Sequence, residues 1–228
     1  MGHEALGYSL CLSSAYSPVL STQTPIRCIT MTTRSELTAI VLAGGKSSRM
    51  GQDKALIPIQ GIPLLQRVCS IAQSCADVVY VVTPWPERYQ DLLLPGCHFI
   101  REVPLAGKSL AHGPLVGFAQ GLAEVKTEWV LLLACDLPRL RVEVLQDWVT
   151  RLDSVGDNAI AALAHNPKGW EPLCGFYRRS CLSQLLEFIN QGERSFQQWL
   201  RQYPVEVLPL AEPEMLFNCN TPEDLALN

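Results

Sequence analysis

The chain has 228 residues, of which 48% are hydrophobic and 18% charged, a composition typical of a globular protein with a sizeable core. Its net charge of −4 excludes a strongly basic surface, so neither a nucleic acid nor a membrane is expected as a partner. The nine cysteines are odd in number and form no Cys-x-x-Cys pair. Free thiols in a reducing cytoplasm are therefore expected, without a zinc site.

The first 35 residues differ from the rest of the chain. They are rich in Ser, Thr and Pro and show no helical or strand period, which predicts a disordered extension over 1–35 before one domain over 36–228. A transit peptide is the alternative, although arginines are few and Glu4 is an early acid. Met31, just before the periodic region, is a candidate start.

From Thr38 onward, strand and helix patterns alternate. Short apolar runs predict strands over 38–43, 77–83, 97–101, 128–134, 158–164, 172–177, 205–208 and 216–218. The segments between them predict helices over 63–74, 85–94, 113–125, 141–152, 181–190 and 195–202, and a last helix from Thr221. This alternation is typical of a single-domain α/β fold, with a mostly parallel, doubly wound sheet and helices on both faces.

A glycine loop follows the first strand directly. Residues 42–54 read Leu-Ala-Gly-Gly-Lys-Ser-Ser-Arg-Met-Gly-Gln-Asp-Lys. Paired glycines let backbone N–H groups approach a phosphate, and Arg49 and Lys54 add two cations, which suits a polyphosphate under attack. For Gly44-Gly45 alone, a tight turn in a solvated loop is the simpler interpretation. The segment lacks the spacing of a Walker loop and the third glycine of the dinucleotide fingerprint.

A second candidate is Asp136, which ends the most apolar strand. The carboxyl ends of parallel strands share one edge of the sheet, so Asp136, Thr83 and the glycine loop are expected at one site. An Asp before a turn often only caps local N–H groups. Beside bound phosphate it can instead hold Mg²⁺, which takes few carboxylates together with phosphate oxygens and water. Asn218 and Asn220 offer amide oxygens as further ligands.

Three motifs in this order resemble those of the molybdenum cofactor guanylyltransferases, a family of nucleotidyltransferases. They are the glycine loop ending in Asp-Lys, Cys-Asp-Leu-Pro at 135–138, and Asn-Cys-Asn-Thr-Pro-Glu-Asp-Leu at 218–225. The resemblance covers the chain from Thr38 and implies a fold like that of the nucleotide-diphospho-sugar transferases. The GTP-binding residues that it implies are Leu42, Ala43, Gly44, Gly45, Lys54 and Asp136. It also implies catalysis by Lys54, Arg49 and Asp136, and metal binding by Asp136 and Asn220.

Two further segments resemble the family, and two positions depart from it. Residues 113–117 (Gly-Pro-Leu-Val-Gly) are similar to a segment near the base, and 191–195 (Gln-Gly-Glu-Arg-Ser) to one on the acceptor side. Thr83 stands where related enzymes often carry Asn. Glu102 stands roughly where an Asp that reads guanine is common. His98 and His165 match no catalytic motif and are expected to be surface or structural residues.

The activity implied by the resemblance is transfer of GMP from GTP to molybdenum-loaded molybdopterin, with Mg²⁺ as cofactor and release of pyrophosphate. The implied partners are GTP, molybdopterin, a molybdenum-insertion protein and the target molybdoenzymes. A cytidylyltransferase acting on the same cofactor, another nucleotidyltransferase, or a non-catalytic cofactor carrier are the alternatives. Gly44-Gly45 and the asparagine pair favour guanine, and a pure carrier has no need of Lys54 and Asp136.

Overall fold

The computed structural model describes residues 36–44, 53–105 and 113–219. By its contacts the chain divides into two units, Met1–Arg34 and Ser35–Asn228, and all described residues belong to the second. The predicted extension over 1–35, Gly45 and Arg49 of the glycine loop, and Asn220 with the last predicted helix lie outside the described residues.

The described residues form nine strands and five α-helices. The strands are β1 Thr38–Leu42, β2 Pro58–Ile59, β3 Ile62–Pro63, β4 Val78–Thr83, β5 Cys97–Arg101, β6 Trp129–Ala134, β7 Ala161–Asn166, β8 Gly169–Arg178 and β9 Val205–Leu208. The helices are α1 Leu64–Gln73, α2 Pro114–Glu124, α3 Val142–Arg151, α4 Leu182–Asn190 and α5 Phe196–Leu200. None of these helices is long and apolar enough to cross a membrane.

Seven of these strands form one sheet, in the order β5-β4-β1-β6-β8-β7-β9. Neighbours from β5 to β6 are parallel, and so are β7 and β9. Among the described strands of this sheet only β8 runs against the others, as it pairs antiparallel with both β6 and β7. The mostly parallel sheet is therefore confirmed, with strand β6 at its centre and β1 beside it.

The core lies on both faces of this sheet, because side chains alternate along each strand. In β1, Ala39 and Val41 pack in the cluster that includes α1 and α3. Ile40, between them, packs in the second cluster with α2, α4 and α5. Both faces of β6 are fully covered in the same way, which explains its unbroken apolar run. Helices on both faces confirm the doubly wound arrangement.

Two predicted elements are wrong. The segment 216–218 is not a strand: Pro213–Leu216 form a 3-10 turn, with proline in its first turn, where the fixed φ is suited to helical geometry. The segment 85–94 is not one helix but two 3-10 turns, Pro86–Arg88 and Gln90–Leu92. Tyr89 separates them with a φ of −120°, outside helical geometry.

Candidate active site

The site begins where β4, β1 and β6 end side by side. The Ala43 N–H donates to the Val82 carbonyl at 2.9 Å, and the Cys135 N–H donates to the Leu42 carbonyl at 3.0 Å. These bonds continue the parallel ladders for one residue past the strands. They therefore hold Ala43 and Cys135, the residue before Asp136, beside each other at the carboxyl ends of neighbouring strands, as expected for an α/β fold.

One cleft opens at this edge and brings most of the predicted residues together. The sequence-predicted residues that line it are Leu42, Ala43, Gly44, Lys54 and Asp136, and they are joined by Gly113, Pro114 and Gly117 of the segment similar to the family and by Glu102, whose role the sequence left open. The remaining wall includes the buried Tyr89, together with Asp53, Cys135 and Leu173. The expectation that the glycine loop and Asp136 lie close together is met for Leu42, Ala43 and Gly44.

Lys54 and Asp136 form an ion pair across the cleft. The Lys54 Nζ lies 3.6 Å from Asp136 Oδ2, and the two side chains are 18% and 25% exposed. Burial raises the pKa of the Asp136 carboxyl above its ordinary value, while the Lys54 ammonium opposes that rise. The carboxylate is thus short of hydration, a state that favours the approach of a further cation.

Glu102 also lines the cleft and is only 7% exposed. A Cβ placed on Gly44 would lie 3.1 Å from Glu102 Oε2, and one on Gly117 would lie 3.5 Å from the same atom. The Gly44 distance is shorter than an ordinary contact, so the absence of a side chain at Gly44 leaves space for this carboxylate, whereas a Cβ on Gly117 would make an ordinary van der Waals contact with it. Burial raises the pKa of Glu102 from 4.5 to about 7, so near neutral pH the group exchanges readily between acid and carboxylate.

The N-terminus of α2 adds a fixed positive dipole to the same cleft. Gly113 precedes the helix with a φ of 80°, a conformation that suits glycine, and Pro114 takes the first helical position. Gly113, Pro114 and Gly117 line the cleft, so the first turn of α2 faces it. Unpaired N–H groups and the macrodipole at such an end favour an anion.

Lys54 is the first residue of a capped turn. Asp53 is the N-cap of the 3-10 turn Lys54–Leu56, and its Oδ1 accepts from the Ala55 N–H at 3.1 Å. Its second oxygen, Oδ2, accepts from the Tyr89 hydroxyl at 2.7 Å. The sequence motif includes Asp53, and an Asp before a short turn is a capping signal. Tyr89 has no such signal, because only the fold brings it to this position.

Comparison with known proteins identifies the family. The model of the MobA-like NTP transferase domain matches residues 39–207. A Nostoc protein named "Probable molybdenum cofactor guanylyltransferase" is 72% identical over 193 residues, which cover 85% of this chain and 90% of that protein. The chain belongs to the molybdenum cofactor guanylyltransferase family. A more distant guanylyltransferase, from Yersinia pseudotuberculosis, is 31% identical over 200 residues, covering 84% of this chain and 94% of its own.

Solved structures share the fold of this guanylyltransferase. Molybdopterin-guanine dinucleotide biosynthesis protein A from Archaeoglobus fulgidus aligns with a TM-score of 0.66 and 23% identity, over 83% of this chain and 95% of its own. A Mycobacterium tuberculosis protein crystallised with manganese aligns with a TM-score of 0.55 and 15% identity, over 77% and 89%. At these identities the likeness shows the nucleotidyltransferase fold alone.

Several residues singled out in the guanylyltransferase sequence are not in the cleft wall. Thr83 ends β4 as predicted, but it is fully buried and its Oγ1 accepts from the Trp85 N–H at 3.2 Å, a structural role. His98 and His165 are exposed, as expected. In the 191–195 segment, the Arg194 guanidinium donates to the Ile189 carbonyl at 2.7 Å, near the end of α4. That this segment lies on the acceptor side stays a prediction.

The segment after β9 does return to the cleft. The Cys219 N–H donates to the Asp136 carbonyl at 3.0 Å, so Asn218 and Cys219 run directly beside the predicted metal ligand. Asn218 is exposed at this point. Among the described ranges no three His, Cys, Asp or Glu side chains cluster together in a way that could hold a metal ion by themselves.

Proposed function

We propose that this guanylyltransferase transfers GMP from GTP to the phosphate of molybdenum-loaded molybdopterin and releases pyrophosphate. The observation that carries the proposal is the single cleft in which the Lys54–Asp136 pair, the start of α2 and the buried Glu102 converge. The names of the relatives supply the two substrates, and the cleft supplies groups suited to each part of a guanine nucleotide.

Glu102 is proposed to read the base. Guanine presents two adjacent N–H donors, at N1 and at the N2 amino group, and a carboxylate offers two acceptors side by side. Cytosine presents an amino group next to an unprotonated ring nitrogen, so its edge would place a lone pair against one of the carboxylate oxygens. Because an unpaired polar group in a buried site is costly, this pairing discriminates against CTP.

Lys54 and the first turn of α2 are proposed to hold the phosphates. The acceptor is a phosphate monoester, already anionic, so its attack on the α-phosphorus of GTP needs no strong general base. Catalysis is then positioning and neutralisation of negative charge as pyrophosphate leaves. A flexible ammonium at Lys54 can follow that charge. Arg49 of the glycine loop is proposed as the second cation, and Gly45 as a backbone contact to the phosphates.

Asp136 is proposed to hold a divalent cation, Mg²⁺. The fit rests on the Asp136 carboxylate at the cleft wall, which is 25% exposed and has lost part of its hydration, so that a bound cation would replace some of the lost stabilisation. One carboxylate is sufficient because Mg²⁺ usually keeps water and phosphate oxygens as its other ligands. Asn220, with Asn218, is proposed as an amide ligand. A bound Mg²⁺ would supply charge neutralisation at the phosphates, in addition to that from Lys54.

Turnover separates this enzyme from a carrier that only delivers the finished cofactor. Full-length protein is incubated with GTP, Mg²⁺ and molybdenum-loaded molybdopterin, and pyrophosphate and the dinucleotide product are quantified together. We expect both in equal amounts, dependent on the acceptor. Binding of the dinucleotide without any pyrophosphate release from GTP would favour the carrier. We further propose that the enzyme acts in the cytoplasm. There it would contact a molybdenum-insertion protein and the target molybdoenzymes.

A further inference from the structure

Tyr89 links the connection between β4 and β5 to the turn that begins with Lys54. Its side chain is buried, with the residue 2% exposed, and its hydroxyl donates to Asp53 Oδ2 at 2.7 Å. Its backbone is fixed on both sides, since the Tyr89 N–H donates to the Pro86 carbonyl and the Leu92 N–H donates to the Tyr89 carbonyl, each at 3.0 Å. The hydroxyl therefore has a well-defined position.

Asp53 uses both of its oxygens in the same network. Oδ1 accepts from the Ala55 N–H at 3.1 Å, which fixes the turn of Lys54. Oδ2 accepts from Tyr89 and lies 3.8 Å from the Arg88 guanidinium, which in turn lies over the Trp85 ring. Burial and the adjacent Asp53 raise the pKa of Tyr89, so its hydroxyl stays protonated and acts as a donor. Hydrogen bonds to an ionised acceptor are among the stronger ones in proteins.

We propose that Tyr89 is a positioning residue: by holding Asp53 it fixes the direction in which the Lys54 ammonium enters the cleft. Tyr89 acts through Asp53 and Lys54, and its hydroxyl is already used within the protein. The inference rests on the proposed function of Lys54 in neutralising phosphate charge. Without the hydroxyl, Asp53 keeps the Ala55 N–H and the longer, more exposed contact with Arg88, but it loses its short buried hydrogen bond to the sheet connection, so the start of the Lys54 turn is held less firmly.

Tyr89→Phe tests this, because it removes one oxygen and keeps the buried ring. Tyr177→Phe is the matched control: Tyr177 is also fully buried, its hydroxyl donates to the Pro172 carbonyl at 2.7 Å, and it lies in the other core cluster. We expect kcat to fall by roughly tenfold to a hundredfold in Tyr89→Phe, as misplaced catalytic groups do, with little change in the KM for GTP. Tyr177→Phe should keep the wild-type kcat.

A double-mutant comparison distinguishes positioning from general loss of structure. In a Lys54→Ala background, Tyr89→Phe should cost little further kcat, because the group that it positions is gone. An equal loss in both backgrounds would overturn the proposal. So would a wild-type kcat in Tyr89→Phe.

A measurement without substrates keeps the test independent of the proposed reaction. The lysines are labelled by ¹³C reductive methylation in the full chain, and the Lys54 signal is assigned from its loss in Lys54→Ala. Tyr89→Phe should shift or broaden that signal, and Tyr177→Phe should leave it in place. An unmoved Lys54 signal in Tyr89→Phe contradicts the positioning role, whatever the enzyme transfers. Failure of wild-type protein to transfer GMP would instead contradict the proposed function.

Discussion

Replacing Glu102 with Gln should make the free protein more stable and the nucleotide complex weaker. The reason is that Glu102 is buried and its pKa rises from 4.5 to about 7 through loss of hydration. Between these two pH values the folded protein keeps a proton on Glu102 that the unfolded chain has released. The free energy of unfolding of the wild type therefore falls as pH rises through this window and is constant above it.

The size of the effect follows from the same two pKa values. At about 1.4 kcal/mol for each pH unit, the difference between 4.5 and about 7 corresponds to about 3 kcal/mol. Gln is nearly isosteric and cannot ionise, so Glu102→Gln escapes this penalty. The variant should match the wild type near pH 4.5 and exceed its stability by about 3 kcal/mol above pH 7.

Urea unfolding from pH 5 to 8.5, without ligand, measures the difference, and Glu124→Gln at an exposed position of α2 is the control. Calorimetry at pH 8 then compares the affinity of Glu102→Gln and of the wild type for GTP. The amide N–H of Gln would face the N–H donors of guanine, so the variant should bind GTP at least tenfold more weakly, or by about 1.4 kcal/mol. If the difference in free energy of unfolding between Glu102→Gln and the wild type does not change with pH, burial does not raise the pKa of Glu102 and this reasoning is refuted. Unchanged GTP affinity would remove Glu102 from base recognition.

Three further predictions concern the metal, the cation and the N-terminus. Asp136→Asn should lower kcat by orders of magnitude while thermal unfolding stays close to wild type; full activity with Mg²⁺ in a folded variant would contradict metal binding. Lys54→Ala should lose kcat/KM, and Lys54→Arg should regain little, since a planar fork cannot replace a point charge; wild-type kinetics in both would exclude Lys54. A chain starting at Met31 should keep the melting temperature and kcat of the full chain; a large loss of either contradicts a disordered extension.

The central strands and their shared edge could be predicted from the sequence because their signals are local. The run Trp129–Ala134 is buried on both faces, so its composition alone marks it as central. The two-residue strands β2 and β3 were too short to give a period, yet the turn between them carries its own signal. Gln60 and Gly61 both adopt positive φ, the requirement of a tight hairpin turn in which glycine is favoured.

The contacts that surround and position the motif residues of the site could not be predicted from the sequence. Gly44 and Asp136 come just after strands in recognisable motifs, so the fold rule alone places them at one edge, and Lys54 belongs to the same motif as Gly44. The Tyr89–Asp53 hydrogen bond joins residues 36 positions apart, and the path of the chain between them decides it. The buried state of Glu102 likewise depends on tertiary structure, because its carboxylate packs beside Gly44 and Gly117, which lie on other segments of the chain.

The proposed guanine specificity is tested most directly by the transfer reaction itself. Wild-type protein is given molybdenum-loaded molybdopterin with equal GTP and CTP in competition, and the two dinucleotide products are quantified by mass. The account predicts that the guanine dinucleotide exceeds the cytosine product at least tenfold, or about 1.4 kcal/mol in the competing transition states. Equal products, or an excess of the cytosine dinucleotide, would contradict it.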